Sequence, residues 1–351
     1  MLAIFILPGE ISMASSEEIN GNGTIHSPAF DIPLSSYMSV EAQKVSIEQL
    51  MNPIPAPAVP ETVDNIIRSR ENLDKFFFSP CLDRMKAIYP VTIETKKVAE
   101  VSVYIVTPKD YLSKSHGDEK ILINLHGGNF SMGSGMGQLV ESIPVASVCK
   151  TKVISIDYRQ APEFKFPAAS EDVAAVYKVL LGSHEPKNIG IYGCSAGALL
   201  TAMTMAWLQK AKLPLPAAIG LFFAGADPAF GGDSIYTGQS LSGKNPPPPS
   251  PNPPAWPMAY LSETDLKSPL VSPAFFPALL ANFPPTLLIS GTRAFDMSSV
   301  IFTHNQLVKA GVEADLHIWD GMRHAFFYNP DMPESKEVYD VIANFFDRHF
   351  R

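Results

Sequence analysis

A cysteine and a serine stand side by side in Gly193-Cys194-Ser195-Ala196-Gly197. Both side chains can act as nucleophiles, and the spacing decides between them. The five residues fit G-x-S-x-G, with an apolar run (188–192) before them and an Ala, Leu and Met-rich helical pattern after them. Strand, tight turn and helix form the setting in which a nucleophile is held at the tip of a strained turn. Ser195 is midway between the glycines and takes the tip. Cys194 falls one residue early and reads as a small buried side chain.

A serine hydroxyl is inert at neutral pH without a base. In this arrangement the partners follow in the order serine, acid, histidine. His324, in GMRHAFF, lies just beyond the last strand pattern, where the base belongs. His317 falls within that strand, His304 within a helix and His349 at the C-terminus, while His26, His116 and His184 precede the serine. Asp296 is the single carboxylate of the loop Gly291–Met297, which makes it the expected acid; Asp320, in the following loop, ranks second. Upstream, INLHGGNF (123–130) ends a strand in a glycine pair. The N–H groups of Gly127 and Gly128, with that of Ala196, are the expected donors to an oxyanion. Asn129 tolerates the left-handed region better than most residues.

The elements that position these groups alternate. Strand patterns begin near Val91 with VTIETKK and EVSVYIV and continue at 121–128, 152–159, 188–193, 217–226, 285–291 and 314–321. Helical patterns lie at 139–150, 167–181, 197–212, 298–310 and 334–349. The alternation predicts an α/β fold: an eight-stranded, mostly parallel sheet covered by helices on both faces. Residues 1–85, with amphipathic patterns at 40–51 and 61–77 around a proline-rich linker (52–60), read as an N-terminal cap segment. The catalytic domain is expected at 86–226 and 285–351, interrupted by an insertion (227–284) that carries the proline tract 245–257.

Composition narrows the function classes. The chain has 351 residues and a formal net charge of −8, with no basic run, which argues against nucleic acid. Cys81, Cys149 and Cys194 have no metal-ligand or disulfide spacing, so no metal and no cofactor is expected, and a reducing, cytoplasmic location is the simpler reading. The apolar run Leu2–Leu7 is too short to span a bilayer and leaves export as the weaker alternative.

Together HGGNF, DYRQAPEFKFPAASEDV (157–173), GCSAG, SPLVSPAF (268–275) and GMRHAF make residues 90–350 resemble the hormone-sensitive lipase family of α/β-hydrolases, bacterial esterase branch. The resemblance implies an α/β-hydrolase fold and a serine carboxylesterase acting on short-to-medium acyl esters through a Ser–Asp–His triad. It also implies a cap built from the N-terminal helices and the insertion, and a possible homodimer. Asn129, Phe130, Phe77 and Trp256 are candidate substrate contacts; the aromatic residues of the cap can equally serve its own packing. Asp157, Arg159 and Asp172 read as structural charges. The chain departs from the family at Asn129, where a third glycine is usual, at Cys194, and at Ala294, which stands nearer than Asp296 to the usual position of the acid. An amidase, formamidase or lactonase on the same scaffold shares the acyl-enzyme chemistry. A receptor-like member without turnover is the alternative of another class, and His324 argues against it, because the gibberellin receptors that resemble this family lack that histidine.

Overall fold

The computed structural model describes residues 24–25, 31–53, 62–112, 119–248 and 258–350. Eight strands form one sheet: β1 (Val91–Val98), β2 (Val101–Pro108), β3 (Ile121–Leu125), β4 (Lys152–Ile156), β5 (Ile189–Cys194), β6 (Ala218–Phe222), β7 (Thr286–Gly291) and β8 (Ala314–Trp319). Their spatial order is β1-β2-β4-β3-β5-β6-β7-β8. β2 is antiparallel to both β1 and β4, and every later pairing is parallel. β3, β5, β6 and β7 are buried from end to end, which is why they read as unbroken apolar runs rather than as alternation.

The helices are α1 (Val40–Met51), α2 (Val63–Leu73), α3 (Ser79–Ile88), α4 (Met136–Cys149), α5 (Ala168–Leu180), α6 (Ala196–Lys210), α7 (Ser234–Leu241), the single turn α8 (Pro277–Leu280), α9 (Met297–Lys309) and α10 (Pro333–His349). Alternate side chains of the strands feed two cores. Ile121, Ile123, Ile189, Ile191 and Leu288 pack with α5, α6 and α9. Leu122, Tyr192, Cys194, Leu287 and Ile289 pack with α3, α4 and α10. Period-two alternation thus divides one strand set between two helical layers. None of the helices described is long and apolar enough to cross a membrane.

Two details differ from the sequence reading. The pattern at 61–77 is not one helix: α2 passes through a π-helical turn, Asp74–Phe78, into α3. The insertion, which breaks the strand rhythm, contains α7 and α8, both too short to show a period. The linker residues 54–60 and the proline-tract residues 249–257 lie outside the described residues, and Trp256 lies there too.

Ser39 and Arg70 provide polar ties between the N-terminal helices and the body. Ser39 caps α1 through Ala42 N–H, and its own N–H and hydroxyl donate to Glu334 at the start of α10 (2.6 and 2.9 Å). Arg70 of α2 reaches further. Its Nε donates to the Ser131 carbonyl (2.7 Å), one terminal nitrogen to the Ala161 carbonyl (2.7 Å), and both terminal nitrogens to Glu163 (2.8 and 2.9 Å). A guanidinium spends its rigid fork well on such a set. Replacing Arg70 by Ala should lower unfolding free energy by about 1–3 kcal/mol, because two carbonyls lose a charged donor. Glu163→Ala should cost under about 1 kcal/mol, because that carboxylate is half exposed. Urea titration of the two variants measures both, and equal losses would contradict this ranking.

Candidate active site

The sharp turn between β5 and α6 is built by exclusion. A Cβ on Gly197 would lie 1.7 Å from the Leu125 carbonyl oxygen, and one on Gly193 would lie 2.3 Å from Gly197 itself. Only glycine lets the end of β3 and the start of α6 approach this closely. Ser195 sits between them at φ 56°, ψ −118°, with its N–H donating to the Phe222 carbonyl of β6 (2.8 Å). A non-glycine residue there stores strain that the surrounding sheet must hold.

From that position Ser195 Oγ is 3.0 Å from His324 Nε2. His324 Nδ1 is 2.6 Å from Asp296 Oδ1. Asp296 is fully buried, and its other oxygen accepts from Ser290 Oγ of β7 (2.7 Å). Asp320 is turned away, accepting from Ser35 and Thr292 hydroxyls. Ala294 is buried, packed against Gly238 of α7. Two residues on, at the entry to α9, Asp296 is the carboxylate that meets the imidazole. The rings of Phe295 and Phe223 flank His324, with centroids at 4.6 and 5.7 Å.

Cys194 points the other way, into the α4–α10 core, and is fully buried. Burial, and next the Glu141 carboxylate, raise its thiol well above the ordinary value. Burial also pushes Cys81 to about 11, with Asp331 adding to it, and raises Cys149.

The turn after β3 corrects one expectation. Gly127 N–H already donates to Glu141 Oε1 at 2.7 Å, so it does not face the space before Ser195. Gly128 (φ 117°) and Asn129 (φ 56°) then swing the chain out of the sheet direction. The Gly128 N–H has no hydrogen-bond partner among the described residues, and Ala196 occupies the first position of α6, where N–H groups have no acceptor within the helix. His126 is buried, stacked on Tyr158 at 4.3 Å, with Nδ1 2.7 Å from the Gly127 carbonyl. Burial pushes it down to about 4, so it is a neutral donor to that carbonyl.

Phe130 is a second correction. It is fully buried, stacked on Tyr260 at 4.8 Å, and forms part of the core rather than the substrate face. Phe77 is half-buried, with its ring 5.9 Å from that of Tyr328. Asp157 accepts from Ser134 and Gln138, and Asp172 from the Arg159 backbone and guanidinium, which anchors the loop after β4.

The sequence reading missed Glu141. It is buried on α4 beneath the glycine turn and accepts from Gly127 N–H, Tyr328 OH and Asn124 Nδ2 (2.8 Å). One signal was available: Glu141 is the single acidic or basic residue, His126 aside, between Ile121 and Cys149. Burial pushes its carboxyl up to about 7, against those donors.

The chain is similar to known proteins to different degrees. A family model described as the α/β hydrolase fold matches residues 122–328. An acetyl-hydrolase of Streptomyces hygroscopicus is 30% identical over 244 residues, which cover 67% of this chain and 78% of that protein. The crystal structure of esterase E25 superposes with a TM-score of 0.80 at 30% identity, covering 93% of this chain and 98% of the other. An esterase from the bacterial hormone-sensitive lipase family gives 0.72 at 25% identity, covering 89% and 99%.

Two predictions follow from burial. Ellman's reagent should label Cys194 only on unfolding, and peptide mass analysis that finds it modified in the native state as fast as Cys81 would contradict the packing. For Glu141 the folded value lies above the unfolded 4.5, so the folded state holds the proton more tightly. Its contribution to stability is greatest below the unfolded value and is lost as pH rises through the folded one. The stability of wild type relative to Glu141→Gln should therefore fall between about pH 5 and pH 8; urea midpoints with a constant difference would contradict it.

Proposed function

The chain belongs to the hormone-sensitive lipase branch of the α/β-hydrolase fold family, and on that premise we propose that Ser195, His324 and Asp296 hydrolyse carboxylic esters by way of an acyl-enzyme. The activity is that of a carboxylic-ester hydrolase. The observation that carries the assignment of residues is the relay of 3.0 Å from Ser195 Oγ to His324 Nε2 and 2.6 Å from His324 Nδ1 to Asp296.

In this reading Asp296 holds the Nδ1–H tautomer, which leaves Nε2 as the acceptor. Ser195 Oγ attacks the ester carbonyl carbon as its proton passes to His324 Nε2. The carbonyl oxygen becomes an oxyanion, held by the N–H groups of Gly128 and Ala196. His324 gives the proton to the leaving alkoxide, and the C–O bond breaks to release the alcohol. Water, deprotonated by the same imidazole, attacks the acyl-enzyme, and the carboxylic acid leaves as the proton returns to Ser195. The imidazolium formed in each half-reaction is stabilised by Asp296, which is fully buried and keeps a second hydrogen bond from Ser290.

Esters with short-to-medium acyl chains are the substrate class. The partly exposed Phe295 ring beside the imidazole offers an apolar wall of limited extent, and the name acetyl-hydrolase, borne by the Streptomyces relative, points the same way.

A p-nitrophenyl ester series on wild type and variants tests the reading. Turnover should favour the shorter chains. Ser195→Ala should lose nearly all activity, and Asp296→Asn should lower kcat by about 10³ to 10⁴. Asp320→Asn and Cys194→Ala should stay within about threefold of wild type, because neither side chain meets the relay. Undiminished turnover by Ser195→Ala would sink the assignment, and an Asp320→Asn loss exceeding that of Asp296→Asn would move the acid.

A further inference from the structure

Glu141 touches none of the relay residues, yet its carboxyl joins the segments that carry them. Oε1 accepts from the N–H of Gly127, one residue before Gly128, and from the hydroxyl of Tyr328, four residues after His324. Oε2 accepts from Asn124 of β3, whose own carbonyl accepts from Ser155 of β4 at 2.7 Å. Tyr328 is buried in the same core as the Cys194 side chain, next to Ser195. A carboxyl is the one common group whose two oxygens can receive three donors converging from a strand end, a turn and a distant loop.

We infer that Glu141 is a positioning residue for ester hydrolysis: it fixes the glycine turn against the His324 loop, so that the Gly128 N–H is aimed where the oxyanion develops. This rests on the esterase reading above. The argument is one of accounting for buried groups. Gly127 is buried, and its N–H has Glu141 as its acceptor. Without that acceptor the turn must rotate to satisfy the amide, and Gly128 rotates with it. An oxyanion donor works by being in place before charge develops, so a displacement of about 1 Å costs rate rather than substrate affinity. The other titratable groups that face Glu141 are Tyr158, Tyr192, Cys194 and Tyr328, all raised by burial and so neutral at ordinary pH. His126, pushed down to about 4, is neutral as well. No Lys or Arg among the described residues is bonded to it, so the carboxyl is held by hydrogen bonds rather than by a counter-charge.

The test separates volume from acceptance. Glu141→Met keeps the bulk and removes both oxygens, while Glu141→Gln keeps one oxygen for Gly127. On p-nitrophenyl butyrate, Glu141→Met should lose about 10- to 100-fold in kcat with KM within about twofold, and Glu141→Gln should recover most of the loss. Affinity for a trifluoromethyl ketone, whose adduct with Ser195 presents an oxyanion, should fall by the same factor as kcat. Unchanged kcat in Glu141→Met, a loss carried by KM, or unchanged ketone affinity would each overturn the inference. Should Glu141→Met fail to fold, Tyr328→Phe removes one strut and should lower kcat about three- to tenfold at constant KM; a kcat equal to wild type would overturn the inference. If wild type hydrolyses none of the esters, the esterase reading falls and takes this one with it, whereas active wild type with an unaffected Glu141→Met removes this one alone.

Discussion

The site depends on a backbone contact with no room for a side chain. The Leu125 carbonyl at the end of β3 and the Gly197 Cα at the start of α6 leave no space even for a methyl group. This contact sets the distance between Ser195 and the glycine turn, because Ser195 precedes Gly197 by two residues and Gly127 follows Leu125 by two. It also explains the positive φ at Ser195. The chain must reverse within one residue to pass from a fully buried strand into a largely buried helix, and the parallel sheet supplies the packing that holds the strained turn. The rest of the site is arranged around Ser195, whose location is fixed by the main chain.

How much of this is legible in the sequence depends on whether the determining neighbour is local. Ser195 and His324 are legible because strand ends are marked by glycines and apolar runs, and the fold brings those ends to one edge. The eight strands are legible for the same reason. Asp296 is legible as the single carboxylate of its loop, although its reach past Ala294 depends on where α9 begins. The Gly127 amide is not legible as spent, because its acceptor arrives from a helix 14 residues later, and a G-G pair looks the same with or without it. Phe130 is not legible as core, because Tyr260, in the insertion, provides the ring it stacks on. Arg70 carries no motif, and its value comes from two carbonyls about 60 and 90 residues away. Periodicity reports which face an element buries. It is silent on which polar atom another element will bring to that face.

The polar groups beneath the site also divide by kind. Asp296 is satisfied by an imidazole and a serine hydroxyl. Glu141, His126 and Tyr158 surround the glycine turn from below with hydrogen bonds and no counter-charge. The first orients the imidazole beside Ser195, and the second holds the backbone of the glycine turn. A buried network of the second kind is stable only when each member is satisfied, so it tolerates little drift in the turn it supports.

The Glu141 carboxyl has a consequence for how the protein is made. Its three donors come from residues 124, 127 and 328, so two are present early in synthesis and the third is nearly 190 residues behind. Without Tyr328, closing α4 over β3 would leave the buried carboxyl one donor short, at a desolvation cost. Leu122, Val140 and Ile143 share one core with Val338, Tyr339 and Phe346 of α10, so the α4 layer is completed by the C-terminal helix. A chain truncated before residue 328 would lack both Tyr328 and the α10 side of that core, leaving apolar surface of the kind that promotes aggregation.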